Sequence, residues 1–79
     1  MESNTQETQH VLPDVLKVVG SRIRTIRNER NMNQKRLAEL SNLDRAYMSS
    51  IEQGKQNITV GSLLRIASAL KVDIRTLIP

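Results

Sequence analysis

Residues 34–54 read QKRLAELSNLDRAYMSSIEQG, and the fold follows from how this stretch divides. Asn33, just before it, is a side-chain cap that opens a short helix predicted over Gln34–Ser41. Leu37, Ala38 and Leu40 are its inner positions. Asn42-Leu43 makes a tight turn, because asparagine tolerates left-handed backbone angles that most side chains refuse. Asp44 caps a second helix over Arg45–Gln53, and Gly54 stops it.

Upstream, apolar residues recur at Leu16, Val19, Ile23 and Ile26, three and four apart. That spacing predicts a helix opening at Asp14, after Pro13, and carrying Arg22, Arg24, Arg27 and Arg30. Asn31-Met32-Asn33 breaks it. Downstream, Lys55-Gln56-Asn57-Ile58 is a polar connection, and Thr59 caps a helix to about Leu70 with Leu63, Ile66, Ala67 and Leu70 on one stripe. Val72-Asp73 restarts a short final helix ending near Ile78. No run alternates long enough for a strand. The chain is predicted to be all-α, with five helices in one domain over residues 13–79. Residues 1–12, polar and without helical period, read as a flexible N-terminal arm.

Composition narrows the function. The chain has 79 residues, room for one domain with a lean core. It has no cysteine and one histidine, His10, so a disulfide framework or a Cys/His zinc site is excluded and no cofactor is expected. No apolar run reaches the roughly 18–20 residues that span a bilayer. Met1–Leu12 lacks the regions of a signal peptide, so a soluble, cytoplasmic domain is expected. No Ser/His/Asp or Cys/His set and no phosphate loop is present, which argues against an enzyme. Twelve Lys and Arg face eight Asp and Glu, but Glu2 and Glu7 lie in the arm; from Asp14 onward the balance is twelve to six. Arginines outnumber lysines eight to four, which suits two-point contacts to phosphate or guanine. Composition is compatible with a polyanionic partner or with an ordinary basic surface.

The exposed face of the helix after Asp44 is more specific. Two short capped helices joined by a tight turn have helix-turn-helix geometry, in which the second helix enters the DNA major groove. Met48, Ile51 and Glu52 fall on one side of that helix. The other side shows Arg45, Ala46, Ser49, Ser50 and Gln53, small or hydrogen-bonding groups rather than the Glu and Lys of a merely solvated face. Arginine suits guanine O6 and N7, serine suits several base edges, and alanine suits a thymine methyl. Met32 and Met48 read as core filler.

Gln34-x-x-Leu37-Ala38, Asp44-Arg45-x-Tyr47-x-Ser49-x-Ile51-Glu52-x-Gly54 and Leu63-x-x-Ile66-Ala67-x-Ala69-Leu70 resemble the Cro/C1-type (XRE) helix-turn-helix regulators. The resemblance runs from about Gly20 to Leu77. Within that family the run from Leu43 to Glu52 most resembles the controller proteins of restriction–modification systems, although short phage and chromosomal regulators share much of it. Asn42 stands where many members have Gly, and Ile58 where many have Pro.

The resemblance implies a lambda-repressor-like DNA-binding domain. It makes Gln34 a phosphate clamp at a helix N-terminus. Arg45, Ala46 and Ser49 match base-facing positions, with Ser50 and Gln53 as additions. Tyr47 either bonds a phosphate or packs, and Lys55, Gln56 and Asn57 run along the DNA backbone. Arg27 and Glu52 match a buried ion pair between the first and third helices.

One recognition helix reads few base pairs, so such domains pair on a two-fold operator with recognition helices about 34–36 Å apart. The interface is assigned to the last two helices, with Leu64, Ile74 and Ile78 either forming it or completing the core. For a controller protein the resemblance implies a homodimer on its own promoter, activating at low concentration and repressing at high concentration. No membrane and no small-molecule effector is expected. The alternatives are a phage or chromosomal repressor of the same fold, or an antitoxin-like protein-interaction module. The last would need a toxin-binding extension, for which only the 12-residue arm is at hand.

Overall fold

The computed structural model describes residues 5–79, with side chains from Val11 onward. Helix α1 spans Thr5–Glu29, α2 Gln34–Ser41, α3 Arg45–Glu52 and α4 Val60–Leu70, followed by one 3₁₀ turn at Ile74–Thr76. Among the described residues there is no strand.

The caps of the three shorter helices are those the sequence announces. Asn33 accepts from the Arg36 amide at 2.8 Å, Asp44 from Ala46 at 2.6 Å, and Thr59 from Ser62 at 3.0 Å. Each side-chain oxygen satisfies an amide that the first helical turn leaves without a partner.

All four helices also end alike. Asn31, Asn42, Gly54 and Lys71 take left-handed angles, with φ of 54°, 54°, 75° and 60°. The next amide then reaches back five residues: Met32 to Arg27, Leu43 to Ala38, Lys55 to Ser50, and Val72 to Ala67, at 2.9–3.1 Å. This closure satisfies a terminal carbonyl and turns the following side chain inward. Met32, Leu43 and Val72 accordingly pack against the core.

That core joins Val19, Ile23 and Ile26 of α1 to Leu37 and Ala38 of α2, Met48 and Ile51 of α3, and Leu63, Ile66, Ala67 and Leu70 of α4. Leu77 plugs it from the C-terminal turn and is fully buried. Each buried Val, Leu, Ile or Met side chain contributes roughly 1.5–3 kcal/mol of burial. Leu40, expected inside, is instead 45% exposed, because Leu37, Ala38 and Ser41 already fill the inner face of α2.

Two expected boundaries change. Helix α1 begins at Thr5, not at Asp14, and runs through Pro13, so Asp14 is interior and caps nothing. A proline removes one amide and crowds the carbonyl four residues back, but it leaves the ladder on either side intact. Thr5–Leu12 is therefore helical backbone, with Val11 and Leu12 exposed. Positions 1–4 of the expected arm, and the side chain of His10, lie outside the described residues.

The expected fifth helix is only the 3₁₀ turn, leaving four α-helices among the described residues. Asp73 caps it, accepting from the Arg75 amide at 2.8 Å. Ile78 precedes Pro79, whose ring disfavours helical angles for the residue before it, so the turn cannot propagate. The side-chain hydrogen bond from Arg75, then its backbone amide, holds the Asp73 carboxyl below its ordinary value, and Asp73 in turn raises the Arg75 guanidinium.

Candidate nucleic-acid interface

Helix α3 is divided sharply between core and solvent. Met48, Ile51 and Glu52 are buried, whereas Arg45, Ala46 and Gln53 are exposed and Ser49 and Ser50 half-buried. Asp44 grips the amides of Ala46 and Tyr47, which sets where this outer face begins.

Its inner side is locked by charge. Arg27 of α1 donates from Nε to Glu52 Oε2 at 2.7 Å and from a terminal nitrogen to Oε1 at 3.0 Å. The second terminal nitrogen bonds the Met32 carbonyl at 2.8 Å, tying the α1–α2 turn into the same cluster. Gln34 Nε2 adds a third bond to the carboxylate, at 3.1 Å to Oε1. The two side chains are only 11% and 3% exposed, so the pair is shielded from screening ions. Three donors on a buried carboxylate satisfy a charge that would otherwise be costly to bury.

Gln34 thus has a structural partner that sequence reasoning missed, since the contact is tertiary. Its place at the start of α2 also sets it against α3: Gln34, Arg45, Ala46 and Ser49 line one cleft of about 290 Å³. On the same face Gln53 Nε2 donates to Ser49 Oγ at 3.0 Å, one helical turn apart.

The remaining predicted residues lie around this cleft or away from it. Lys55 and Asn57 are exposed and Gln56 half-buried in the connection to α4, while Tyr47 is half-buried against the core. Leu64 and Ile78 are 50% and 43% exposed, but Ile74 packs onto the core. Arg22 of α1 reaches the Thr76 carbonyl at 3.4 Å and links α1 to the C-terminal turn.

Gly20 is a second residue whose role was missed. A β-carbon there would meet the Ile51 carbonyl oxygen and lie 2.7 Å from that of Glu52. Only glycine lets α1 approach the end of α3 this closely. A glycine inside a helical pattern was the available signal.

The Helix-turn-helix family matches residues 23–77, which contain all of α2, α3 and α4. The chain belongs to this XRE-type family of DNA-binding transcription regulators, which is not a family of enzymes. Its relatives include the control protein C.SmaI of Serratia marcescens, 34% identical over 65 residues, which cover 82% of this chain and 77% of that protein. The immunity repressor of Bacillus phage phi105 is 38% identical over 60 residues, 76% of this chain and 42% of the repressor. Among solved structures, the restriction–modification controller protein C.AhdI from Aeromonas hydrophila is 37% identical with a TM-score of 0.77, covering 78% of this chain and 94% of that one. The chain is thus a transcription regulator similar in sequence and fold to controller proteins. Among the described residues, no helix is long and apolar enough to cross a membrane.

Proposed function

We propose that this chain binds double-stranded DNA sequence-specifically, as a homodimer on an inverted-repeat operator, and serves as the controller of a restriction–modification system. The observation that carries the reading is the single cleft shared by Gln34, Arg45, Ala46 and Ser49. It brings a helix N-terminus, suited to a phosphate, beside a face suited to base edges.

In this reading α3 lies in the major groove. Arg45 takes guanine O6 and N7, Ala46 meets a thymine methyl, and Ser49 and Ser50 bond base edges. Gln34, Tyr47, Lys55, Gln56 and Asn57 follow the phosphates. Asn33, the cap of α2, is neutral, so the partial positive charge of that terminus is left for an anion. The α1–α3 ion pair holds the reading face at a fixed angle to this clamp.

The exposed Leu64 and Ile78 support a pairing surface on α4 and the C-terminal turn, where each would leave water against a second copy. Ile74, already packed on the core, supports the edge of that surface rather than its centre. Occupancy is then set by protein concentration, with activation at low and repression at high concentration. The likeness to the phage immunity repressor favours a second reading, a repressor without a restriction–modification partner.

Selection of bound duplexes from a random pool, at physiological salt with nonspecific competitor, tests the proposal. Enrichment of an inverted repeat with half-site centres about one helical turn apart supports it. Recovery of unrelated sequences, with binding that vanishes as salt rises, would leave phosphate attraction alone.

A further inference from the structure

We propose that Gln53 is a positioning residue that sets the hydrogen-bonding polarity of Ser49, so that Ser49 reads acceptor edges, guanine O6 or N7 or thymine O4, and not amino groups. The inference rests on the reading that α3 occupies the major groove.

A serine hydroxyl carries one proton and two lone pairs, so by itself it pairs with either kind of base edge. Here Gln53 Nε2 donates to Ser49 Oγ at 3.0 Å, and the oxygen is already engaged as an acceptor. Accepting one bond strengthens a hydroxyl as a donor in the next. Ser49 is half-buried and opens into the cleft with Gln34, Arg45 and Ala46, so its proton, strengthened as a donor, leads there over the one lone pair that remains.

Arg45, one turn earlier on the same face, has donors only. Successive turns of α3 therefore present donor after donor, with the Ala46 methyl between them. The matching base edges are acceptors: guanine O6 and N7 at Arg45, and at Ser49 guanine or thymine, whose keto oxygens carry no amino group beside the acceptor as adenine N6 stands beside N7. Gln53 itself closes α3 as its C-terminal cap, farther from the groove-facing first turn, and acts through Ser49.

The test uses the full chain and the operator obtained by duplex selection. Ser49→Ala first identifies the base pair whose preference depends on Ser49. Wild-type protein is expected to favour guanine or thymine there over adenine or cytosine by about 3- to 10-fold, the range of one neutral hydrogen bond. Gln53→Ala should bring that ratio towards unity and leave the Arg45 base pair unchanged. Gln53→Glu supplies a carboxylate that can only accept; it takes the Ser49 proton and should turn the preference towards adenine or cytosine. General repulsion between Glu and DNA lowers all affinities alike and does not move this ratio.

A wild-type preference for amino bases, or an unchanged ratio in both Gln53 variants, overturns the inference while the operator reading stands. Wild-type binding with no base preference at any position overturns both.

Discussion

Arg27 and Glu52, 25 residues apart, meet in a two-point fork whose shorter arm is 2.7 Å, and the carboxylate is almost fully buried. Because Glu52 is the last residue of α3, this bond fixes the far end of the reading helix to α1. The Arg27 bond to the Met32 carbonyl and the Gln34 bond to Glu52 make the same pair hold the start of α2. Two helices that must face DNA together are thereby joined through one carboxylate.

Removing that carboxylate leaves the Arg27 guanidinium buried without its partner. Glu52→Ala is expected to cost about 3–5 kcal/mol of folding stability, and DNA binding should be lost with the fold. Urea denaturation followed by circular dichroism measures this. Unchanged stability would show that the pair is not a structural lock.

Much of this arrangement is legible in the sequence, for a local reason. Asn33, Asp44 and Thr59 cap helices with their own side chains, and Asn42 and Gly54 are residues that take left-handed angles readily, so α2 and α3 announce both their ends and α4 its start. The Pro13-Asp14 pair sends an equally local signal, but there it misleads, because a helix already running can tolerate a proline whose amide is simply missing. Lys71 gives no warning of its left-handed φ of 60°; the buried Leu70 and the inward-turned Val72 impose it. The outer face of α3 could be read from its residue types, whereas the Gln34–Glu52 bond and the closeness of Gly20 to α3 depend on how separate helices pack.

Gly20 offers a test of that packing. Alanine favours a helix interior over glycine by about 1 kcal/mol. At this position its methyl would overlap the Ile51 and Glu52 carbonyls, and backbone cannot yield as a side-chain tip can. Gly20→Ala should therefore destabilise the chain, by a net 1–3 kcal/mol or so, and weaken DNA binding by tilting α3. A rise in melting temperature would mean that α1 does not approach α3 so closely.

Ser41 gives an opposite expectation. Its hydroxyl is buried between α2 and α4, and its oxygen has no hydrogen-bond partner. Ser41→Ala removes an unsatisfied polar group at almost constant shape, and should stabilise by about 1–2 kcal/mol. Thermal unfolding at fixed concentration measures the shift, and a lower melting temperature would imply that the hydroxyl is bonded.

The C-terminal turn provides a pH signature. Arg75 hydrogen bonds keep the Asp73 carboxyl below its ordinary 3.8. A carboxyl lowered in the folded state stabilises it above that ordinary value, and the contribution fades as pH falls through the folded value. Both groups are exposed, so added salt should weaken the effect. NMR titration should find the Asp73 midpoint below 3.8, moving up towards it in Arg75→Ala. A midpoint indifferent to that substitution would contradict the bond.

If the outer face of α3 reads bases, Arg45 is the side chain whose loss must change which base pair is preferred. Affinities of wild-type and Arg45→Ala protein should be compared on the selected operator and on every single-base-pair variant of one half-site, all at one salt concentration. Arg45→Ala should lose about 1–3 kcal/mol on the operator and relax discrimination at one base pair per half-site, with the other positions unaffected. An equal loss on every sequence would make Arg45 a phosphate contact, and the outer face of α3 would not be reading bases through it.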